Sequence, residues 1–304
     1  HIFAHDQSTT SSTPRNNNNM IKAIFPENWT DYELIDSGNG YKLEKFASQI
    51  LARPEPQAIW APRLSKEEWA NLQTAKFIQE GSHQGNWEHQ NKLKPWFINY
   101  RIQDNRIKMK LNFTQFKHVG IFPEQAANWD YIYEKSLAFE GKGSVLNLFA
   151  YTGGASLAAK AANLDVVHVD SIKQVVSWAN ENKTHCNLKG IRWVVEDALK
   201  FVSREVKRGK KYNGIILDPP AYGIGAKGER WKLEQKLGAL LEQVSHLLSS
   251  DGFMVLNVYS LGLSPYIIQN LMNDFFYQRD FELFELCLKS RTNQILPLGI
   301  LARI

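Results

Sequence analysis

Asp218-Pro219-Pro220-Ala221-Tyr222-Gly223 places a carboxylate, two prolines and a phenol in one short stretch. The acid can accept a proton or a hydrogen bond, and the prolines stiffen the backbone where a reacting group would meet a ligand. Such a pair also ends an ordinary strand, so Asp218 gains meaning only from its companions. One companion is the break in the apolar run Val145–Ala161 at Tyr151-Thr152-Gly153-Gly154. Its glycines let a ligand approach the backbone, and the helix that follows offers free N–H groups. Asp170 ends the next apolar run and suits a pair of ribose hydroxyls; Glu196-Asp197 ends the one after and suits an adenine amino group. Together these residues fit an adenosine-containing ligand.

The elements needed to position them are legible. VLNLFA, VVHVD, IRWVV, GIILD and FMVLNV alternate with helical segments near 155–163, 171–183, 197–208, 231–249 and 264–277. That rhythm predicts a parallel sheet covered by helices, with the ends of its strands sharing one edge. FELFELCL and ILPLGILARI should add an antiparallel hairpin at the edge of the sheet. Before residue 118 the pattern is short and β-like. YELIDSGNGYKLEKF reads as a hairpin around Ser37-Gly38-Asn39-Gly40. Ala58–Trp60, Trp96–Arg101 and Arg106–Leu111 are further candidate strands, and Lys66–Leu72 is a short helix.

Several readings fall away. The dinucleotide fingerprint G-x-G-x-x-G is absent, which disfavours a nicotinamide enzyme, and Gly141-Lys142-Gly143-Ser144 precedes its strand instead of following it. Cys186 and Cys287 make neither a disulfide framework nor a zinc cluster, and His1, His5, His83 and His89 lack companions at ligand spacing, so no metal is expected. No run reaches the roughly 20 apolar residues of a membrane span. The expectation is a cytoplasmic protein without membrane contact. Residues 1–19, rich in Ser, Thr and Asn, read as a disordered tail or an added remnant, with a transit peptide disfavoured by Arg15 being their only basic residue of the Lys/Arg type.

From 118 onward the chain resembles class I S-adenosylmethionine-dependent methyltransferases, in particular the group that includes bacterial large-subunit ribosomal RNA methyltransferases. LFAYTGG is that group's aromatic form of the first cofactor motif, and HVGIFPEQAANW resembles its entry segment, with Gln125 and Trp129 as marks. The resemblance implies a Rossmann-like α/β domain over 118–304, with a mostly parallel seven-stranded sheet and an antiparallel C-terminal hairpin. A small antiparallel β domain, 20–117, would precede it and correspond to an accessory domain that grips RNA. By the same resemblance Gln125, Phe149, Ala150, Tyr151, Thr152 and Gly153 line the methionine side of S-adenosylmethionine. Asp170 and Ser171 take the ribose, Asp197 and Ala198 frame the adenine, and Asp218, Pro219 and Pro220 close the reaction site. Packing for Tyr151 and helix capping for Asp170 and Asp197 are the plainer alternatives.

The acceptor is less legible. Methylating carbon 5 of a cytosine needs a thiolate, and the group members that do so carry it where this chain has Val258-Tyr259-Ser260. Asp-Pro-Pro is similar to the [DN]-P-P-[YF] signature of nitrogen methyltransferases, with the aromatic displaced by one residue to Tyr222, so nitrogen methylation of an RNA base, ribosomal first, is the leading expectation. The net charge of +5 favours a polyanion without naming one. Lys200, Arg204, Lys207, Arg208, Lys210 and Lys211 form one basic cluster. Arg101, Arg106, Lys108, Lys110 and Lys117, interleaved with Phe113 and Phe116, form another. A solvated helix face and an ordinary charged strand are the plainer readings, and for the 200–211 cluster a solvated face explains the charge as well as RNA contact does. A protein or small-molecule acceptor, and a non-catalytic RNA scaffold that keeps the cofactor fold, remain as alternatives.

Overall fold

The computed structural model describes residues 21–81, 84–89, 94–225 and 228–304. Residues 1–19 with His1 and His5, His83, and part of the glycine-rich 223–228 stretch therefore lie outside the described residues.

The chain begins with β1 (Lys22–Ile24), β2 (Tyr32–Gly38), β3 (Tyr41–Phe46) and β4 (Gln49–Pro54), then α1 (Lys66–Leu72). There follow β5 (Ala75–Glu80), β6 (Gln84–His89), β7 (Trp96–Ile102) and β8 (Asn105–Leu111). A 3-10 turn, Pro123–Gln125, leads into α2 (Ala126–Leu137). The alternating part comprises β9 (Ser144–Leu148), α3 (Gly154–Ala161), β10 (Asp165–Asp170), α4 (Lys173–His185), β11 (Ile191–Val195), α5 (Ala198–Lys207) and β12 (Tyr212–Leu217). The chain closes with β13 (Tyr222–Ile224), β14 (Arg230–Lys232), α6 (Leu233–Leu247), β15 (Leu248–Val258), α7 (Pro265–Phe276), β16 (Glu282–Lys289) and β17 (Ile295–Arg303).

The large sheet runs β1-β16-β17-β15-β12-β9-β10-β11. β9 pairs in parallel with both β10 and β12, so strand order reverses there, and the switch point opens between the ends of β9 and β12. The seven expected strands are all present, with β17 antiparallel between β15 and β16. An eighth, β1, pairs in parallel with β16, so the hairpin does not form the edge of the sheet; three residues from the N-terminal segment cover it.

Residue parity sets the two faces. Leu146, Leu148, Ile215, Leu217, Met254 and Leu256 join the core under α5, α6 and α7. Val145, Ile216, Phe253 and Val255 join a second core with α2 and α3. That second core continues into Tyr32, Phe46, Ile98, Tyr100 and Met109 of the preceding β region, so one apolar mass crosses residue 118.

The small sheet runs β2-β3-β4-β5-β6, and β7 and β8 form a separate hairpin. Asn39 and Gly40 both have positive φ, 50° and 78°, the conformation that a tight two-residue hairpin turn needs, and Asn-Gly supplies it. Antiparallel pairing holds except between β4 and β5, which are parallel with α1 as the crossover. Ala58–Trp60 is not a strand. Pro54, Pro56 and Pro62 interrupt ladder donors around it, and its carbonyls instead take the N–H groups of Asn39 and Gly40 at 2.7 and 2.8 Å.

Candidate active site

The turn after β9 is held in an unusual conformation. Phe149, Tyr151 and Gly153 have φ of 55°, 50° and 96°, so two aromatic residues occupy the left-handed region where glycine is ordinarily found. Surrounding bonds hold it. Asp170, at the tip of β10, accepts the Tyr151 N–H through Oδ2 and the Ile172 N–H through Oδ1, each at 3.0 Å. Buried Thr152 donates to Gly120 O at 2.6 Å, and Asn182 donates to Thr152 O at 3.0 Å. Beneath the turn, Asn147, Ser156 and His168 form a buried polar chain with spacings of 2.9 and 3.0 Å.

The two glycines have different jobs. Gly153 supplies the positive φ at the start of α3, whereas a Cβ on Gly154 would stand 2.4 Å from the Trp129 ring. Trp129 on α2 is thereby pressed against the turn.

A narrow open cleft lies over this turn. Gln125, Phe149, Ala150, Tyr151, Thr152, Gly153 and Asp218 all line it, joined by Trp129 and by Asn147 and Ile216 from the sheet. These residues converge because the strand period of two puts Asn147, Ile216 and Asp218 on the α2/α3 face at the carboxyl edge.

The other expected residues lie along that edge without lining the cleft. Asp170 adjoins it through the Tyr151 N–H. Ser171 follows Asp170 directly, Asp197 caps α5 by accepting the Lys200 N–H at 3.0 Å, and Ala198 is buried behind it. Pro219 is buried and Pro220 exposed. Tyr222 is 45% exposed on β13, paired with Lys232 of β14. The aromatic in contact with the Asp-Pro-Pro corner is instead Trp231, whose Nε1 donates to Pro220 O at 2.5 Å and whose ring lies 4.8 Å from that of Phe149. No short-range pattern links Trp231 to the motif; the β13–β14 hairpin folds it back.

Electrostatics distinguish the acids. Burial pushes Asp218 up to about 6, partly countered by the Asn257 amide, which reaches Asp218 Oδ1 at a long 3.5 Å. β12 and β15 are in register at Leu217 and Leu256, so the next residues, Asp218 and Asn257, stand side by side. Burial also raises Asp170 above the usual carboxylate range, against the opposing pull of the backbone N–H groups of Ile172, Tyr151 and Ser171.

A second polar assembly lies within the small sheet and reaches the loop after β15. Arg53 on β4 grips Glu44 on β3 through two nitrogens, with Nε–Oε2 at 2.8 Å and Nη2–Oε1 at 2.9 Å. Lys42 lies 3.4 Å from Glu55, whose other oxygen accepts the Tyr259 hydroxyl at 2.5 Å. This network ties the loop after β15 to the small sheet. Neither cysteine takes part: Cys186 Sγ donates to Lys108 O at 3.3 Å, and Cys287 is buried in β16, its thiol pushed up to about 12 by burial.

A parallel sheet that reverses order at β9/β12, one antiparallel strand near its end and a cleft over a strained turn together define a class I methyltransferase domain. The family model of S-adenosylmethionine-dependent methyltransferases matches residues 49–272, and the chain belongs to that family. It is similar to the crystal structure of the SAM-dependent methyltransferase from Agrobacterium tumefaciens, with 34% identity, 94% of this chain and 93% of that one covered, and a TM-score of 0.85. A structure described as a methyltransferase and solved with SAH shares the fold at 16% identity, covering 91% of this chain and 76% of the other with a TM-score of 0.68. Among curated proteins, the ribosomal RNA large subunit methyltransferase K/L of Shewanella frigidimarina is 30% identical over 152 residues, 49% of this chain. The chain spans about a fifth of that relative's length, 20%.

Proposed function

We propose that the protein methylates a base nitrogen of RNA, with ribosomal RNA the first candidate, in the cytoplasm. The observation that carries the reading is Asp218 itself: a cleft-lining acid at the tip of β12, beside Asn257, with no cysteine in the lining. Support for RNA comes from the relatives named for ribosomal RNA. Among the described residues no helix is long and apolar enough to cross a membrane.

The cleft fits the family's cofactor. Gln125, Phe149 to Thr152, Gly153 and Gly154 line the pocket, and Asp170 stands at the tip of β10 with lone pairs beyond the two it spends on N–H groups. When bound, S-adenosylmethionine supplies a methyl on a positively charged sulfur, which leaves as a neutral thioether. Asp218 orients the acceptor amine so that its lone pair points along the line of displacement and, as the new N–C bond forms, takes the proton that nitrogen must lose. Asp170 fixes the ribose; Asp197 and Ala198 border the adenine. Trp231, packed on Phe149 and the Pro220 carbonyl, keeps the corner closed to water.

The basic clusters support RNA contact only in part. Lys200 pairs with Glu229, Arg204 with Glu196, Arg208 with Glu205 and Lys110 with Glu181, while Lys117 is turned inward onto Pro54 O. Lys207 and Lys210 are exposed and form no ion pair among the described residues.

The test offers radiolabelled S-adenosylmethionine and purified protein to in-vitro transcribed ribosomal RNA, transfer RNA, a protein extract and a small-molecule extract. Label in RNA alone supports the reading; label confined to a protein or small-molecule fraction would replace it.

A further inference from the structure

Behind the residues that line the cleft, two buried acceptor atoms near Asp218 are left unused by the fold. Glu124 sits in the 3-10 turn between Phe122 and Gln125, both of which line the cleft. Its residue is only 6% exposed, yet Oε2 accepts no hydrogen bond from any described residue. Asn257 is 3% exposed, gives its amide to Asp218, and leaves Oδ1 equally unpartnered. An orphaned buried acceptor costs stability, so a fold that keeps two near a buried acid calls for an explanation.

Asn257 lies near the end of β15 beside Asp218, and Glu124 in the turn before α2, toward the β12–β15 side of the switch point and the small sheet. The charged groups that act on Glu124 come from that side: Lys42 and Glu44 on β3, Arg53 on β4, Tyr32 on β2, Tyr259 after β15 and Asp218 after β12. We infer that Glu124 is a specificity-determining residue of the acceptor site, its free oxygen acting with Asn257 Oδ1 and Asp218 to receive N–H donors of the methyl acceptor. The inference deepens the nitrogen-methylation reading and rests on it. With Glu124 ionised, all three groups accept here, so an acceptor edge with several N–H donors is matched, whereas an edge presenting a lone-pair acceptor meets like-signed oxygens. Burial, with Asp218 and Glu44 adding repulsion against the pull of Lys42, raises Glu124 to about 7. The ionised, accepting form therefore becomes dominant only above neutrality.

The test compares wild type with Glu124→Gln and Glu124→Asp. S-adenosylmethionine binding is read by calorimetry, and kcat and KM over pH 5.5–9 on whichever fraction takes label, beginning with in-vitro transcribed ribosomal RNA. The expected result is cofactor affinity within threefold of wild type in both variants. For Glu124→Gln, kcat/KM for the acceptor should fall tenfold or more at pH 8, with loss of the limb that rises near pH 7; Glu124→Asp should recover part of the rate and the limb. A tenfold loss of cofactor affinity with an unchanged acceptor response would assign Glu124 to the cofactor and overturn the inference, as would wild-type kinetics in Glu124→Gln. Label confined to protein or small molecules would remove the RNA reading alone, because the same ratio is then read on that fraction. Wild type labelling no fraction would overturn both.

Discussion

The two halves of the switch point are built differently. Around the cofactor turn, polar groups are spent on the protein itself: Asp170 holds two backbone N–H groups, Thr152 holds Gly120, and Asp197 caps α5. His168 Nε2 is the exception there among the described residues, beneath a ring held by Ser156 and kept neutral by burial, its pKa near 3. Across the cleft the reverse holds. Glu124 Oε2 and Asn257 Oδ1 are unpartnered, and Asp218 receives one long contact. On the proposed reading, the cofactor half is finished by folding, while the acceptor half is finished by its substrate. Preorganisation is thus concentrated where every turnover uses the same molecule.

That contrast can be broken most forcefully at Asp218. Asp218→Ala should lower kcat about 100- to 1,000-fold, the range of a lost proton acceptor and orienting group. Cofactor affinity by calorimetry should stay within about threefold, since the contact removed is not part of the cofactor turn. A matching collapse of cofactor binding would erase the distinction between the halves.

The converse variant is Asp170→Ala, which removes both the proposed ribose partner and the brace on the Tyr151 N–H. Cofactor affinity should fall roughly 10- to 100-fold, about 1.4–2.7 kcal/mol. With saturating cofactor, the KM for the acceptor should barely move.

Stability sharpens the comparison at a smaller scale. The folded pKa of Glu124 is about 7, above the value near 4.3 of an unfolded glutamate. Between those values the native state binds more protons than the unfolded one, so the contribution of Glu124 to stability declines as pH rises through that window. Glu124→Gln cannot ionise and escapes the penalty. Its melting temperature should match wild type near pH 4 and exceed it by a few degrees above pH 7. An advantage that shrinks with rising pH would contradict the assigned direction.

The smallest effect belongs to the surface. Removing Lys207 and Lys210 should reduce the salt slope of RNA binding by about 0.7–0.9 per lysine, whereas neutralising Arg204, already held by Glu196 at 2.5 Å, should change it less. Filter binding at several salt concentrations separates the two cases.

How much of this was legible follows from where the information lies in the chain. β9, β10, β12 and β15 read clearly because strands buried on both faces are continuous apolar runs. The turn Phe149–Gly153 was equally legible, being contiguous. β6, QGNWEH, was missed because it has no β-branched residue and no clean alternation, and β1, three residues long, gains its identity only from β16. α2 was hidden behind the entry segment, with no capping side chain to announce it. Within the site, Trp231 and Asn257 escaped for one shared reason: each reaches the Asp-Pro-Pro corner through register or a fold-back, across a sequence separation that no local pattern encodes.

The most direct measurement is the chemical identity of the product. Unmodified ribosomal RNA, treated with the enzyme and S-adenosylmethionine carrying a deuterated methyl group, would be digested to nucleosides and read by mass spectrometry against methylated standards. An unfinished acceptor wall made of oxygens predicts deuterium on a single N-methylated nucleoside, lost in Asp218→Ala. Deuterium on a base carbon or a ribose oxygen would contradict the account, because neither presents the N–H donors that Asp218, Asn257 and Glu124 are placed to receive.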